Sequence, residues 1–503
     1  MKNDMLYDVC IVGAGPIGLF LGYLLAKQGN KVKILDKNSS RSTTSKASSL
    51  NSHSLTLLHF AGCVEPFLHQ GIEISNLQIF WNNHRLMKVN YNFLPNIYKY
   101  ILSICQPEVE KILEKLFISV GGELIRQKTI ISMGYKDNIV TISDNCNEVT
   151  KSKYVVGCDG AKSTVRNLLN IDFLGDELGV EFYMFDCELK DCDIKTTVQY
   201  YIKDQTFFLL IPQPGGTYRI FFKSKKDIDN YYKFDINQLQ ALIDECGPGG
   251  LQINKIIWLS TSRFYNRIAS NFSSKENHVF LCGDSAHLFS PVGGLGMNTG
   301  FQDAFNLSWR LNNLLNNKFN NKILNDYAIE RRKIANDIIN KTNLSTKLLL
   351  GLDRNINGPL SLWIPNLSNR FSIKNTHPMS FSGLNQTYPI KNSSIEVGSL
   401  VPYFLYDSNN HPKSSYDFFN GIDFVILSKV ELNCSFFKNI NLRVFNINSI
   451  ININEDLKNI FLKFDFLLFR PDGFLLDGFL SYDNEGLLKT FLSLGINCAK
   501  LEN

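Results

Sequence analysis

The first part of the chain alternates between two hydrophobic spacings. Tyr7 to Val12 is a short apolar run of strand type, whereas positions 17 to 28 repeat apolar residues at helical spacing. Gly29 and Asn30 end the helical pattern, and Lys31 to Leu35 predicts a second strand. This order of strand, helix and strand predicts that the chain opens as an α/β fold.

Two later segments predict strands that end beside a glycine and an aspartate. Lys153 to Cys158 predicts a strand that leads into Asp159-Gly160, and His278 to Cys282 predicts one that leads into Gly283-Asp284. After a further glycine-rich stretch, we expect a helix from about Phe301 to Leu315. Both aspartates are therefore expected at the carboxyl ends of strands.

Between about Glu181 and Trp258 the pattern changes to short runs rich in Tyr, Phe, Ile and Thr. These runs predict consecutive strands at Thr197 to Ile202, Phe207 to Ile211 and Tyr218 to Phe222. Pro214-Gly215-Gly216 predicts the turn between the last two strands. The segment therefore predicts a β-sheet of consecutive strands.

The remainder of the chain begins with helical periodicity over about residues 300 to 350. A polar stretch rich in Asn and Ser, from about 385 to 394, predicts a linker. Beyond it, the pattern predicts strands at 421 to 427, 442 to 446 and 464 to 469, a turn at 470 to 473 and a helix at 485 to 494. The tail is therefore expected to form a separate domain.

Composition limits the class of protein. A length of 503 residues suggests about three domains of roughly 150 residues each. The 52 basic and 47 acidic residues leave a net charge of +5, which gives no sign of a nucleic-acid partner. Val9 to Ala26 is uncharged and nearly long enough to span a membrane, but Gly13, Gly15 and Gly18 indicate a strand-to-helix turn. We therefore expect no transmembrane segment.

The eleven cysteines include no Cys-x-x-Cys pair, so zinc-ligand spacing and a thioredoxin-type redox motif are both missing from the sequence. We expect no metal site and a reduced, intracellular compartment. Met1 to Asp8 lacks the charged and apolar parts of a secretory signal. The expected location is the cytoplasm.

Gly13-x-Gly15-x-x-Gly18 lies between the first strand and the first helix, where it matches a dinucleotide-binding fingerprint. Gly13 allows the tight turn, Gly15 lets the backbone approach a pyrophosphate, and Gly18 lets helix and strand pack closely. The phosphates would lie at the helix N-terminus, where free N–H groups favour an anion. Asp36 follows about 20 residues later, at the spacing expected of a ribose ligand. The fingerprint leaves open whether NAD or FAD is bound.

Three motifs together resemble the signature of the class A flavoprotein monooxygenases, the family of para-hydroxybenzoate hydroxylase and phenol hydroxylase. The glycine fingerprint, Asp159-Gly160 and Gly283-Asp284 occur in the order found in that family. Gln106 is similar to a helix-borne Gln that touches the flavin, and Arg41 is similar to a residue of the loop near the adenosine. The resemblance spans essentially the whole chain and implies FAD as the bound cofactor.

The resemblance implies a set of cofactor-binding residues in turns and loops. They are Gly13, Gly15, Pro16, Gly18, Asp36, Arg41, Gln106, Asp159, Gly160, Gly283, Asp284, Pro291, Gly294, Gly296, Met297 and Asn298. Asp284 can accept hydrogen bonds from the ribitol hydroxyls, and a helix beginning near Asn298 would direct N–H groups at the flavin. Asp159 could instead cap the helix that follows it. For His287 we favour a buried histidine with satisfied hydrogen bonds over a catalytic role.

The fold class implied by the resemblance is α/β, with a Rossmann-like FAD-binding domain of the glutathione-reductase type. The expected domains are a first part of the FAD-binding domain at 1–175, a substrate-binding β-sheet at 176–270, a second part of the FAD-binding domain with a helical extension at 271–384, and a thioredoxin-like domain at 385–503. Because it lacks Cys-x-x-Cys, the last domain is expected to be structural or interfacial.

Three aromatic residues of the inserted sheet are candidates for substrate binding. Tyr200, Phe208 and Phe222 could line a pocket for a flat apolar substrate, although aromatic residues in strands more often pack in the core. The resemblance implies that NADPH or NADH acts as a transient electron donor and that O2 is captured as a flavin C4a-hydroperoxide. One oxygen atom would then hydroxylate an aromatic small-molecule substrate of phenolic or polyketide-like type. No catalytic residue is assigned.

Two alternatives to aromatic hydroxylation stay open. Relatives of this fold also carry out epoxidation, Baeyer-Villiger-type oxygenation and drug inactivation, which the sequence does not distinguish from hydroxylation. The chain could also be a catalytically silent flavin-binding scaffold, because Leu295 and His53 replace the Gln and the Arg that are usual in the family. A homodimer is a further expectation.

Overall fold

The structure is a computed structural model that describes most of the chain. The described residues are 5–43, 47–203, 206–224, 228, 231–290, 293–349, 382–384, 386–388, 398–408, 411–430, 440–447, 461, 464–480 and 484–496. The predicted linker at 385–394 lies mostly outside these residues, as does Pro291.

The strands and helices follow one another in a mixed α/β order. The strands are β1 Leu6–Val12, β2 Val32–Leu35, β3 Ser49–Leu50, β4 Ile72–Ile74, β5 Asn76–Trp81, β6 His84–Asn90, β7 Ile101–Ser103, β8 Glu123–Ile125, β9 Ile130–Lys136, β10 Ile139–Asp144, β11 Val149–Gly157, β12 Phe173–Lys190, β13 Thr197–Lys203, β14 Thr206–Gln213, β15 Thr217–Lys223, β16 Gln252–Ala269, β17 Val279–Leu281, β18 His287–Leu288, β19 Leu405–Ser408, β20 His411–Ser414, β21 Phe424–Ser428, β22 Leu442–Asn446, β23 Phe466–Phe469 and β24 Leu475–Phe479. The helices are α1 Pro16–Lys27, α2 Ser52–Phe60, α3 Glu65–Gln70, α4 Gln106–Ser119, α5 Thr164–Leu168, α6 Ile236–Cys246, α7 Leu295–Leu315, α8 Lys322–Leu349 and α9 Asn484–Ser493.

The first sheet has the order β8-β2-β1-β11, and β11 continues it in two ways. Its first half pairs antiparallel with β10, which pairs with β9, and its last three residues pair parallel with β17. β8, β2, β1, β11 and β17 are therefore all parallel. Their carboxyl ends lie along one edge, and this edge carries the turns that follow β1, β2, β11 and β17.

Helix α7 begins at Leu295, six residues before the predicted start at Phe301. Gly294 forms its N-cap in the left-handed region, with φ of 63°. A Cβ on Gly300 would lie 2.6 Å from Cδ1 of Ile17, so glycine is needed inside α7 where it crosses α1. The glycines that predicted a loop are thus partly helical, because close helix packing uses them.

The second sheet has eight strands in the order β18-β16-β12-β15-β14-β13-β5-β6. Strands β5 and β6 come from residues 76–90, ahead of the predicted inserted segment, and β5 pairs in parallel with β13. The central strands β13, β14 and β15 are buried on both faces over most of their length. One face faces a cavity, and the other packs against α6 through Leu239 and Ile243.

The carboxyl-terminal residues form a four-stranded sheet of order β22-β21-β23-β24, followed by α9. It contacts α7 and α8 through the turn after β23. Arg470 donates from Nη1 to Oε1 of Glu330 at 2.8 Å, and Asp472 accepts from Nε1 of Trp309 at 3.3 Å. All four side chains are buried, so this contact is part of the core. Among the described residues, no helix combines the length and apolarity that crossing a membrane requires.

Candidate active site

A cavity of about 720 Å³ lies between the carboxyl edge of the first sheet and one face of the second. Its first half is bordered by the turns that follow β1, β2, β11 and β17. Its second half is bordered by apolar and aromatic side chains of β13, β14 and β15. The two halves are continuous, so a molecule held by the turns would reach the sheet.

The turn after β1 is shaped by three glycines with different surroundings. Gly13 has φ of 109°, and a Cβ there would lie 2.4 Å from the carbonyl oxygen of Cys158. A Cβ on Gly18 would lie 2.0 Å from the carbonyl oxygen of Gly13. By contrast, no atom lies within 4 Å of the Cβ position of Gly15, which faces the cavity. Gly13 and Gly18 therefore serve packing, and Gly15 leaves space for a ligand at the N-terminus of α1.

Asp36 closes this turn at the end of β2. Its Oδ2 accepts a hydrogen bond from the backbone N–H of Ala14 at 2.6 Å, and its Oδ1 accepts one from Asn38 at 2.7 Å. Arg126 lies 3.9 Å from Oδ1 and also borders the cavity. Arg41 borders the cavity as well and forms an ion pair with Glu114 at 3.3 Å. This end therefore combines a buried carboxylate with two cations.

Gln106 lies in the first turn of α4, at the cavity wall. Its Nε2 donates to Oε1 of Glu110 at 2.9 Å, and its Oε1 accepts from the backbone N–H of Ala47 at 3.3 Å. Burial raises the pKa of Glu110, an effect that the hydrogen bond from Gln106 opposes. Gln106 thus connects α4 to the segment that precedes β3.

Asp159 follows β11, and its carboxylate caps α5. Oδ1 accepts from the hydroxyl of Ser163 at 2.5 Å, and Oδ2 accepts from the backbone N–H groups of Thr164 and Val165 at 2.7 and 3.1 Å. Within the protein, Asp159 therefore acts as a helix cap, which is the alternative that the sequence left open. Gly160 has φ of 80° and open space around its Cβ position, and it borders the cavity.

Asp284 lies in a short 3₁₀ turn after β17, and its side chain is exposed at the cavity. Buried groups hold the turn from behind, where Asp303 accepts a hydrogen bond from the N–H of Gly283 at 3.0 Å. Asp303 also contacts Nε2 of His287 and Nε of Arg331, each at 2.6 Å. Nδ1 of His287 has no hydrogen-bond partner among the described residues, so this histidine is buried but only partly satisfied.

The glycine-rich loop before α7 forms the junction between the two halves of the cavity. Gly293 and Gly294 have φ of 94° and 63°, and Gly296 has open space around its Cβ position. These glycines and Met297 border the cavity. The side chain of Asn298 is buried behind the loop, where it donates to the carbonyl oxygen of Gly294 at 2.7 Å and accepts from the N–H of Asn51 at 2.9 Å. Its amide therefore braces the loop.

Tyr200 links the sheet to this loop. The side chain borders the cavity, and its hydroxyl lies near the backbone of Gly293, which opposes the rise in its pKa. Burial raises the pKa of Tyr200 to about 12, so the hydroxyl is protonated at neutral pH. Tyr91 borders the cavity beside it, and its hydroxyl has no hydrogen-bond partner among the described residues. Two phenol groups thus lie at the junction.

Phe208 and Phe222 lie on the opposite face of the sheet, so the expectation that they line the pocket is wrong. Both pack beneath α6 in the core that contains Leu239. Their chain neighbours Phe207 and Phe221 border the cavity instead. Successive side chains of a strand point to opposite faces. Because both faces are buried and apolar here, the sequence pattern does not reveal which residues face the cavity.

Arg219 on β15 is a charged residue among the apolar side chains of β13, β14 and β15 that border the cavity. Its Nε and Nη2 donate to the two oxygens of Asp186 at 2.8 and 2.9 Å, and Trp258 donates to Oδ2 of Asp186 at 2.6 Å. Arg219 borders the cavity, and its Nη1 has no hydrogen-bond partner among the described residues. Sequence reasoning missed this residue, although an Arg within the apolar run of β15 was a visible signal.

The first half of the cavity has the features that FAD binding requires. Gly15, Gly160 and Gly296 border the cavity and have open space at their Cβ positions, so their backbone is accessible to a ligand. A side chain at any of the three would occupy that space. The exposed carboxylate of Asp284 borders the same cavity as the turn after β1 and the glycine-rich loop, where it can accept hydrogen bonds from ligand hydroxyls. The residues present therefore fit a dinucleotide with an attached flat ring.

Comparison with known proteins supports the same conclusion. Residues 6–342 match the family described as FAD binding domain. A rifampicin monooxygenase of Streptomyces venezuelae is 27% identical over 353 residues, which cover 68% of this chain and 72% of the relative. A 12-dehydrotetracycline 5-monooxygenase/anhydrotetracycline 6-monooxygenase of Streptomyces rimosus is 27% identical over 417 residues, which cover 79% of this chain and 80% of the relative.

A solved structure extends the similarity of fold to nearly the whole chain. The OxyS anhydrotetracycline hydroxylase from Streptomyces rimosus has a TM-score of 0.78 and 23% identity, and the match covers 97% of this chain and 99% of that chain. The family match itself covers well over half of the sequence. FAD is therefore the cofactor, and the chain belongs to the FAD-dependent monooxygenases of the aromatic hydroxylase type.

Proposed function

We propose that the enzyme uses NADPH or NADH and O2 to hydroxylate an aromatic small molecule held against the cavity face of the second sheet. The proposal rests on one observation. The flavin half and the aromatic half form one continuous cavity, with Tyr200 at their junction. Bound FAD supplies the electron transfer and the activation of O2. The protein has to bind the cofactor, orient the substrate and exclude water from the site.

The aromatic half is suited to a flat, apolar ring system. Phe207, Phe221 and Leu209 border it, and Phe207 and Phe221 pack edge to face with their ring centres 6.0 Å apart. Burial of apolar surface contributes about 25 cal/mol per Å², so a larger ring system gains more binding free energy here. The same apolar wall keeps bulk water from the reacting edge of the flavin.

Arg219 supplies the polar contact that would orient such a ring. Asp186 accepts from two of its nitrogens, which fixes the guanidinium, and Nη1 has no partner within the described part of the chain. We propose that Nη1 donates to a carbonyl or phenolic oxygen of the substrate. A hydrogen bond from a charged donor is worth about 1.5–3 kcal/mol, enough to select one orientation. The rifampicin and tetracycline monooxygenases among the relatives support a polyketide-like substrate.

The experiment is oxygen incorporation by the purified holoenzyme. Rifampicin, anhydrotetracycline and pentachlorophenol are incubated separately with NADPH or NADH under isotopically labelled O2. We expect at least one compound to accelerate NAD(P)H oxidation and to gain one labelled oxygen atom by mass spectrometry. Labelled water with ordinary O2 serves as the control, and its label should not enter the product.

Two outcomes would contradict the proposal. Reduction of bound FAD by NAD(P)H with no labelled product from any aromatic compound would remove the hydroxylase assignment. A labelled product in which oxygen is inserted between two carbon atoms, or added across a double bond, would replace hydroxylation by Baeyer-Villiger oxygenation or epoxidation.

We also infer a thioredoxin-like fold for the carboxyl-terminal unit. Its support is the strand arrangement, in which β21 and β22 are parallel neighbours and β23 and β24 continue the sheet antiparallel. The sequence has no Cys-x-x-Cys, so the unit is expected to act through packing, as its contacts from Arg470 and Asp472 indicate. A crystal structure whose carboxyl-terminal unit superposes on the thioredoxin fold would support the inference, and any other topology would contradict it.

A further inference from the structure

Two cysteines lie side by side at the cavity edge, and the proposed reaction uses neither. Cys158 follows β11 and Cys282 follows β17, and these strands pair in parallel with Gly157 opposite Leu281. The backbone N–H of Cys282 donates to the carbonyl oxygen of Gly157 at 3.0 Å, so the register continues by one residue. Registered residues of neighbouring parallel strands point to the same side of the sheet.

The spacing of the strands suits a disulfide. Neighbouring strands lie about 4.8 Å apart, and disulfides join Cα atoms roughly 4.4 to 6.8 Å apart. Both thiols are reduced in the structure. Burial, and then a hydrogen bond with the Cys158 thiol, raise the pKa of Cys282 well above its usual range. The register of the two strands therefore places the two side chains next to each other on one side of the sheet.

The two cysteines both border the cavity but differ in exposure. Cys158 is only partly buried, whereas Cys282 is 1% exposed. Each directly precedes a turn of the flavin half, which is Asp159-Gly160 in one case and Gly283-Asp284 in the other. A cofactor held by these turns would cover Cys158. Peroxide in solution could then reach the pair only when the cofactor is absent.

We propose that Cys158 and Cys282 form an oxidisable dithiol that hydrogen peroxide converts to a disulfide in the flavin-free protein, and that the disulfide weakens FAD binding. The thiolate of Cys158 attacks one peroxide oxygen, the O–O bond breaks, and one water leaves after protonation. The Cys282 sulfur then attacks the sulfenic sulfur, the S–O bond breaks, and a second water leaves. Two thiols lose two electrons and two protons, and one peroxide becomes two waters.

The disulfide would act on the flavin site through the strand ends. A disulfide holds its two Cβ atoms about 3.8 Å apart and so links the ends of β11 and β17 covalently. The turns with Gly160 and Asp284 would then be locked to each other and would lose the freedom to adjust when the cofactor binds. We expect FAD affinity to fall by about tenfold or more, which corresponds to about 1.4 kcal/mol.

The test compares flavin-free and FAD-loaded protein after exposure to hydrogen peroxide. Free thiols are alkylated, and the disulfide is located by peptide mass spectrometry under non-reducing conditions. We expect the Cys158–Cys282 disulfide in the flavin-free sample, about tenfold less of it in the loaded sample, and its loss on treatment with dithiothreitol. FAD titration by flavin fluorescence should show weaker binding to the oxidised protein and recovery after reduction.

Three variants provide the controls. In Cys158→Ser and Cys282→Ser, peroxide should leave FAD affinity equal to that of the same variant without peroxide. Cys146→Ser removes an exposed cysteine on another surface and should behave as the wild type. Oxidation confined to Cys146, or equal FAD affinity of the oxidised and reduced wild type, would overturn the proposal. The test needs no turnover, so its result is independent of the proposed hydroxylation.

Discussion

The two halves of the cavity are built by different means. The flavin half consists of backbone and turns at the ends of parallel strands, where Gly15, Gly160 and Asp284 meet because the strands end together. The substrate half consists of side chains on one face of a sheet, where Phe207 and Arg219 border the cavity. The first half tolerates little change in residue type, whereas the second can change its side chains without changing the fold.

This difference predicts that the largest single effect comes from closing the open space at Gly15. The backbone of Gly15 is in an extended conformation and no atom lies within 4 Å of its Cβ position, so Gly15→Val should fold. The added side chain would occupy the phosphate position, and FAD affinity should fall by about a thousandfold, or about 4 kcal/mol. The measurement is FAD titration of the flavin-free protein, with thermal unfolding recorded in parallel.

Gly134→Val is the matched control for this prediction. Gly134 lies on β9, is exposed, and also has no atom within 4 Å of its Cβ position, but it does not border the cavity. This variant should bind FAD as the wild type does. Equal FAD affinity of Gly15→Val and wild type would mean that the phosphates do not lie at the N-terminus of α1.

The flavin half could be predicted from the sequence because its residue types follow from backbone requirements. Gly13 has φ of 109°, and Gly18 has no room for a Cβ. Few other residues fit at these positions, so the fingerprint can be recognised from the sequence alone. The position of Asp284 could be predicted in the same way, because the strand that precedes it fixes where its carboxylate lies. The α/β fold and FAD as cofactor are confirmed on this basis.

The substrate half could not be predicted in the same way. Phe207 and Phe208 are both aromatic and both buried, and only the register of β14 with β13 and β15 decides which one faces the cavity. Tyr91 was missed because it lies outside every motif, in a 3₁₀ turn after β6. Asp159 shows the opposite difficulty, because a motif residue can also serve as a helix cap.

The second largest effect is expected at Arg219. Arg219→Met removes the proposed substrate contact and leaves the buried carboxylate of Asp186 without its cation. With the aromatic compound that gives most product, kcat/KM should fall about a hundredfold, or about 2.7 kcal/mol, with FAD still bound. Stability should also fall, by about 3–5 kcal/mol, because the remaining charge is buried. Steady-state kinetics and urea unfolding measure the two effects.

The double variant Arg219→Met with Asp186→Leu separates these effects. It removes the unpaired charge, so much of the stability should return while kcat/KM stays low. Recovery of kcat/KM together with stability would show that Arg219 acts only through the fold and does not contact the substrate.

A smaller effect should distinguish the two motif aspartates. Asp284→Asn removes a charge exposed at the cavity and should weaken FAD binding about tenfold, or about 1.4 kcal/mol, with little change in unfolding free energy. Asp159→Asn disturbs the cap of α5 and should cost about 1 kcal/mol of stability, with a weaker effect on FAD. The paired measurements are FAD titration and urea unfolding. The reverse order of the two FAD affinities would make Asp159 the more direct cofactor ligand.

The smallest effect tests which face of the sheet contacts the substrate. Phe207→Leu and Phe208→Leu change neighbouring residues of β14 in the same way, and both should lower stability because both side chains are buried. Phe207 borders the cavity, so its variant should lose about fivefold in kcat/KM, or about 1 kcal/mol, through the missing aromatic contact. Phe208 packs under α6, so its variant should keep kcat/KM once the values are normalised to bound FAD. Equal losses of kcat/KM in the two variants would mean that activity depends on the stability of the sheet and not on contacts at its cavity face.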